Sequence, residues 1–266
     1  MPEIENGALV SELSKLRMVR CFKDYFSGNS SDYRKHRPSY PPELFSYLAS
    51  LTKRRYRAWD CATGNGQAAR GIALYFAQVI ATDGSFSQIL NAPPSPNVHF
   101  AVSLAEFSCF KAQSLDLITV GQAMHWLDFA AFFAEVDRLL VKNGILAFWC
   151  YGLARISPAI DEVIGHFFFS VLGPFWPPER RYIEEEYRTI PLPMSEIPAP
   201  PFAFQAAWDL GAILGYLGTW SAVKLYRKQK GEDPISLLMT QLCKAWGERK
   251  KMRVVTWPIF LRIGRK

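Results

Sequence analysis

The chain has 266 residues, 49% of them apolar and 14% aromatic, which suffices for the core of one large α/β domain and excludes an intrinsically disordered chain. No apolar run reaches the roughly 18 uncharged residues that span a bilayer, and the start, "MPEIENGALVSELSKLRMVR", lacks the basic-then-apolar order of a secretory signal; the expectation is a cytoplasmic chain with no membrane span. The net charge of +7 raises a nucleic-acid partner, but the basic residues fall in separate short runs (53–57, 179–181, 247–253 and the tail) that read as solvated helix ends and strand entries.

In chain order, Leu9, Leu13, Leu16, Val19 and Phe22 give helical spacing over 8–26. "FSGNSSDYRKHRPSYPPELF" reads as a loop whose prolines open a second helix at 41–51. Short apolar runs then predict strands at 56–61, 78–82, 97–102, 115–121 and 144–150, with helices at 66–76, 85–91 and 128–141 between them. Strands alternating with helices imply βαβ units and a parallel sheet. After Gly152, "GPFWPPERRYIEEEYRTIPLPMSEIPAPPF" reads as a connection over the top of that sheet. A strand at 201–208, helical stretches at 210–228 and 234–246, and a last strand at 252–264 complete the chain. The five cysteines are odd in number and show neither CxxC nor Cys/His spacing, so no disulfide framework and no metal site is expected.

The chemistry concentrates in "WDCATGNGQAA". Asp60 ends the first strand, and Gly64 and Gly66 let the backbone turn sharply and approach a ligand. The following helix offers free N–H groups. Asp83 ends the next strand, where a carboxylate can accept from both hydroxyls of a ribose. Two ligands fit. Gly64-x-Gly66-x-x-Ala69 satisfies the dinucleotide fingerprint, while Asp60-x-Ala62-x-Gly64-x-Gly66 is the acid-x-small-x-Gly-x-Gly turn for S-adenosylmethionine. Asp60 favours the second, since a carboxylate repels a pyrophosphate and attracts an ammonium.

With "FSGNSSDYRKHRPSYPPELFSYL", "LAEFSCFKAQSLDLITVGQAMHWLD" and "EVDRLLVKNGILAFWCYG" added in that order, the chain resembles the class I S-adenosylmethionine-dependent methyltransferases of the methyltransferase type 11 family, in the branch of trans-aconitate methyltransferase-like proteins. The resemblance covers residues 22–264. It implies a Rossmann-like doubly wound seven-stranded sheet, mostly parallel with the last strand antiparallel, helices on both faces and a helical cap. It divides the chain into an N-terminal helix and lid (1–40), a cofactor-binding core (41–152), and a cap with the last two strands (153–266). Three positions depart from the family pattern: Ala62 for a glycine, Ser108-Cys109 for Leu-Pro in the adenine-side loop, and Asn143 for proline or glycine.

The resemblance further implies that Asp60, Ala62, Gly64 and Gly66 line the methionine and ribose side of the cofactor. Asp83, Gly84 and Ser85 surround the ribose hydroxyls, Ala105 and Glu106 lie near the adenine, and Gln122 and Ala123 face the same crevice. Tyr33 and Arg37 belong to the segment that folds over the cofactor. His125, Trp126 and Tyr33 position the reactants, with a general base as the other reading of His125. His125, Trp126, Arg180, Arg181 and Trp220 are the candidate acceptor residues, and the guanidinium pair suits a carboxylate. The expected function is methyl transfer by in-line displacement to a small-molecule acceptor, O- or C-directed, by a monomer or homodimer. Nucleic-acid methylation and cofactor binding without turnover are the alternatives. Against the former, the segment after the fourth strand lacks both the Asn/Asp-Pro-Pro-aromatic run and the Pro-Cys of base methylation.

Overall fold

The computed structural model describes residues 39–266, so the helix expected at 8–26 and the candidates Tyr33 and Arg37 lie outside the described residues. Helix α1 (Pro42–Ser50) starts on a proline, whose fixed φ suits a first turn, and buries Leu44, Phe45, Leu48 and Ala49 along one stripe. Next come β1 (Arg57–Cys61), α2 (Gln67–Ile72), β2 (Gln78–Asp83), α3 (Phe86–Leu90), β3 (Val98–Val102), β4 (Leu115–Gly121), α4 (Phe129–Leu139) and β5 (Leu140–Tyr151). Beyond them lie α5 (Pro158–His166), α6 (Arg181–Glu184), β6 (Ser195–Ile197), β7 (Phe202–Trp208), α7 (Leu210–Gly218), α8 (Ser221–Lys230), α9 (Ile235–Trp246) and β8 (Arg253–Arg265).

The sheet runs β3-β2-β1-β4-β5-β8-β6, with β7 also on β8. Strands β1 to β5 are parallel and β8 is antiparallel to β5. The central strands β4 and β5 are buried on both faces, which explains why they read as unbroken apolar runs. The chain leaves β1 outward through β2 and β3, then returns to β4 on the other side. That reversal opens a crevice at the carboxyl ends of β1 and β4.

The sheet has eight strands where the sequence predicts seven. Segments β6 and β7 lie on one edge of β8, with Ile197 opposite Ile263 and Phe202 opposite Ile259. They are one edge strand interrupted at Pro198, Pro200 and Pro201, which have no N–H to give to a ladder. The helical stretch expected over 210–228 breaks at Thr219–Trp220 into α7 and α8, and α5, for which the sequence signals no element, opens on Pro158. Among the described residues no helix is long and apolar enough to cross a membrane.

Alternate residues of the strands feed two cores. On one face Ala58, Leu117, Ala147 and Trp149 pack with α1 and α2, and the same cluster continues through Phe168, Trp220, Leu242 and Trp257. On the other, Trp59, Ile118 and Phe148 pack with Phe132 and Val136 of α4 and with Ile183 and Tyr187.

Candidate active site

The crevice begins at Asp60, 1% exposed, flanked on its two sides by Ala81 of β2 and Thr119 of β4. Its carboxylate accepts from Thr119 Oγ1 at 2.8 Å and from the Thr63 hydroxyl. No cation among the described residues pairs with it. Burial, helped by the Asp83 charge, raises its pKa to about 6 against the pull of the two hydroxyls. The turn that follows uses three left-handed residues, Ala62 (φ 52°), Gly64 (57°) and Gly66 (79°). At Gly66 a β-carbon would stand 2.7 Å from the Phe100 ring, whereas at Gly64 the nearest atom would be Gln88 Oε1 at 3.9 Å, so the turn keeps an open face.

Asp83 lashes this turn to β2. One of its oxygens accepts from Gly64 N and the other from Ser85 N, each at 2.8 Å, while Thr63 N donates to Thr82 O at 2.9 Å. Ser85, just past Gly84, caps α3 by accepting from Gln88 N at 3.4 Å. Helix α2 has six residues where 66–76 was expected. So few peptide dipoles sum weakly, and the N–H groups of the turn set the local field instead.

After β3, Ala105 is buried and Glu106 Oε1 accepts from Asp128 N at 3.1 Å, which ties this loop to the start of α4. Ser108 tightens the tie. Its N–H (2.9 Å) and its hydroxyl (2.5 Å) both donate to Glu135 Oε1, and Arg138 bonds Glu135, Phe110 O and Ser108 O. Burial pushes the Glu135 carboxyl up, yet the Arg138 and Ser108 hydrogen bonds outweigh it and hold the group below its usual range.

At the end of β4, Gln122 (φ 57°) turns its amide oxygen onto Tyr151 N at 2.8 Å, so part of its hydrogen bonding serves β5. Ala123 leads into the 3₁₀ turn Met124–Trp126. His125, 6% exposed, meets Tyr187 Oη through Nδ1 at 2.6 Å and packs on Trp126 with ring centroids 4.6 Å apart. Burial first, and the Arg180 charge second, push its pKa down to about 3, which makes it a neutral ring at physiological pH. The 3₁₀ turn Pro178–Arg180 packs against Met124–Trp126, with the Arg180 guanidinium over the rings of Trp176 (4.4 Å) and Phe168 (4.9 Å). Beside it a groove of about 320 Å³ is lined by Phe168, Trp176, Arg180 and Glu184 among others.

The crevice therefore gathers Asp60, Ala62, Gly64, Gly66, Asp83, Gly84, Ser85, Gln122, Ala123, His125 and Trp126 at the carboxyl ends of neighbouring strands. Of the remaining acceptor candidates, Arg181 is exposed, lines the groove beside Arg180 and has its guanidinium over the Tyr182 ring, whereas Trp220 is buried among Phe167, Phe168, Trp176 and Tyr216. Thr63, Thr119 and Tyr187 were missed. A threonine inside the apolar run of β4 was a visible signal for Thr119; nothing in the spacing marks Tyr187.

The methyltransferase-domain family matches residues 59–148, the stretch that holds the glycine turn, Asp83 and His125. A protein of Dictyostelium discoideum named as a methyltransferase is 32% identical over 92% of this chain and 96% of its own. The chain belongs to the S-adenosylmethionine-dependent methyltransferases. A solved structure from Anaeromyxobacter dehalogenans, described as a type II methyltransferase, superposes with a TM-score of 0.81 at 41% identity, over 86% of the methyltransferase and 97% of that chain. A Saccharomyces cerevisiae protein named as an S-adenosylmethionine-dependent methyltransferase is 29% identical over 46% of this chain and 45% of its own. The methyl donor is S-adenosylmethionine, and the chemistry of the turn suits it: a buried carboxylate with no paired cation among the described residues stands beside a turn whose open face a β-carbon at Gly64 would enter. Two coupled carboxylates, Asp60 and Asp83, oppose a pyrophosphate.

Proposed function

We propose that the methyltransferase acts on a small-molecule acceptor, O- or C-directed, held between the end of β4 and the segment after β5. The observation that carries this is the packing of the Pro178–Arg180 turn against Met124–Trp126. In this reading residues 41–152 form the cofactor core, and 153–266 supply the acceptor wall together with the last strands. The groove beside Arg180 has the size of a small-ligand site, and the guanidinium faces both the groove and the surroundings of His125.

Bound S-adenosylmethionine supplies a methyl group on a positively charged sulfonium, open to attack in line with the sulfur. Asp60, Ala62, Gly64 and Gly66 would receive its methionine and ribose side, Asp83, Gly84 and Ser85 the ribose hydroxyls, and Ala105, Glu106, Gln122 and Ala123 the adenine side. Asp60 fits because a buried anion that no cation among the described residues pairs gains much from an incoming ammonium. His125, Trp126 and Arg180 would orient the acceptor, and the rings of Trp126, Trp176 and Tyr187 exclude water. Catalysis then rests on alignment in a dry pocket.

The test follows tritium from methyl-labelled S-adenosylmethionine into a cell extract that contains metabolites, RNA and protein. Label in the low-molecular-weight fraction, lost with His125→Ala, supports the reading. Label in RNA overturns it in favour of nucleic-acid methylation.

A further inference from the structure

The hydrogen bond between His125 Nδ1 and Tyr187 Oη joins two buried side chains that stand 62 positions apart, and the chain is contorted to make it. Glu186 (φ 57°) and Tyr187 (φ 60°) are consecutive left-handed residues without a glycine. Such conformations cost about 1 kcal/mol or more each and persist where the surroundings enforce them. Here Tyr187 N donates to Tyr182 O at 2.8 Å, and Arg262 of β8 donates to Tyr187 O at 3.0 Å while its other nitrogens hold Glu196 at 2.8 and 3.1 Å. The clamp turns the Tyr187 ring inward, onto Phe148 and His125.

The hydrogen-bond inventory decides who donates. The phenol makes no other hydrogen bond among the described residues than the one with Nδ1. If Nδ1 carried the proton, the phenol's own O–H would be buried without an acceptor, at a cost of about 1–3 kcal/mol. If the phenol donates to Nδ1, both partners of the contact are satisfied. A neutral imidazole then carries its proton on Nε2, which has no hydrogen-bond partner among the described residues.

We propose that Tyr187 is a positioning residue that locks His125 in the Nε2–H tautomer, so that His125 meets the methyl acceptor as a hydrogen-bond donor and not as a base. This rests on the acceptor reading above. It deepens that reading: the acceptor presents a lone pair, on oxygen or on an atom next to the one methylated, to a fixed N–H. Burial and the Arg180 charge, which keep the ring neutral, favour the same state.

Long-range proton–nitrogen spectra of the full chain labelled with ¹⁵N-histidine, with the His125 signal assigned through His125→Gln, report the tautomer directly. We expect Nδ1 unprotonated and Nε2 protonated in wild type, and a tautomer mixture in Tyr187→Phe. An Nδ1–H ring in wild type overturns the inference, and that spectrum decides even where a variant fails to fold. In the tritium-transfer assay, Tyr187→Phe should lower kcat about 10-fold, the loss of one hydrogen bond, with KM for S-adenosylmethionine within about 2-fold of wild type. His125→Gln, which keeps an N–H donor, should retain more activity than His125→Ala; equal loss in both overturns the donor role. Failure of wild type to label any small molecule sinks the acceptor reading and leaves the tautomer result standing, so the two failures are distinguishable.

Discussion

Asp60 holds a charge where water hardly reaches, and its pKa of about 6 turns that into a pH dependence. The unfolded value is 3.8, so between about pH 4 and 6 the folded protein keeps a proton that the unfolded chain has released. Stability from this group therefore falls as pH rises through that window, and above it the ionised carboxylate costs about 3 kcal/mol. Asp60→Asn, which keeps the shape, should raise the melting temperature of the cofactor-free protein by roughly 5–10 °C at pH 8 and hardly at all at pH 4. Thermal melts at both values check it; an equal gain at both would point to packing rather than charge. The same variant should bind S-adenosylmethionine more weakly, and wild-type binding near pH 6 should release protons, seen as a titration enthalpy that changes with the buffer. A second pair tests the turn. Ala62→Gly should stabilise by up to about 1 kcal/mol because φ 52° strains an alanine, whereas Gly66→Ala should destabilise by about 2 kcal/mol or more, with both φ 79° and the Phe100 ring against it. Urea titrations should show opposite signs. At this scale Asp60, Gly64, Gly66 and Asp83 were legible because the roles of a βα turn follow from short spacing. Tyr187 was not, because its contact with His125 is made by tertiary folding across 62 positions.

Between elements, the loop after β3 shows how a departure from a family pattern is accommodated. Ser108 brings a donor where Leu-Pro is usual, and Glu135 and Arg138 of α4 close a network around it. The network holds the segment that carries Ala105 and Glu106. Ser108→Ala should cost about 1 kcal/mol, and a double-mutant cycle with Glu135→Gln should show a coupling of similar size by urea denaturation. Additive losses would mean that the two groups act independently. The strands were legible to within a residue or two at most ends, since buried parallel strands are apolar throughout. One end was misjudged: β5 starts at Leu140 rather than 144, because Asn143 takes φ 65°, which asparagine tolerates, and the strand continues through the irregularity. Segment β6 was hidden by its prolines. The break between α7 and α8 falls directly after Gly218, a poor helix former that ends α7 before Thr219 and Trp220.

Across the whole molecule, the helices after β5 do not form a separate body on top of the sheet. Trp257 of β8 stacks on Phe204 of β7 at 5.2 Å and donates to Tyr216 Oη of α7 at 3.2 Å, and Tyr216 packs edge-on to Trp220. That aromatic column is continuous with the core under α1 and α2. Loss of the helices after β5 would therefore expose the same apolar face that supports the glycine turn. Far-UV circular dichroism and tryptophan fluorescence should report one coincident unfolding transition, because neither part keeps its core without the other. Trp257→Leu removes a fully buried ring and its hydrogen bond, so it should lower that single transition by about 3–5 kcal/mol without splitting it. Saturating S-adenosylmethionine should then shift both probes upward together, since a ligand of the native state stabilises everything that unfolds with its site. An early fluorescence transition that the cofactor leaves in place would show instead that the segment after β5 melts by itself and that the shared core does not couple it to the turn.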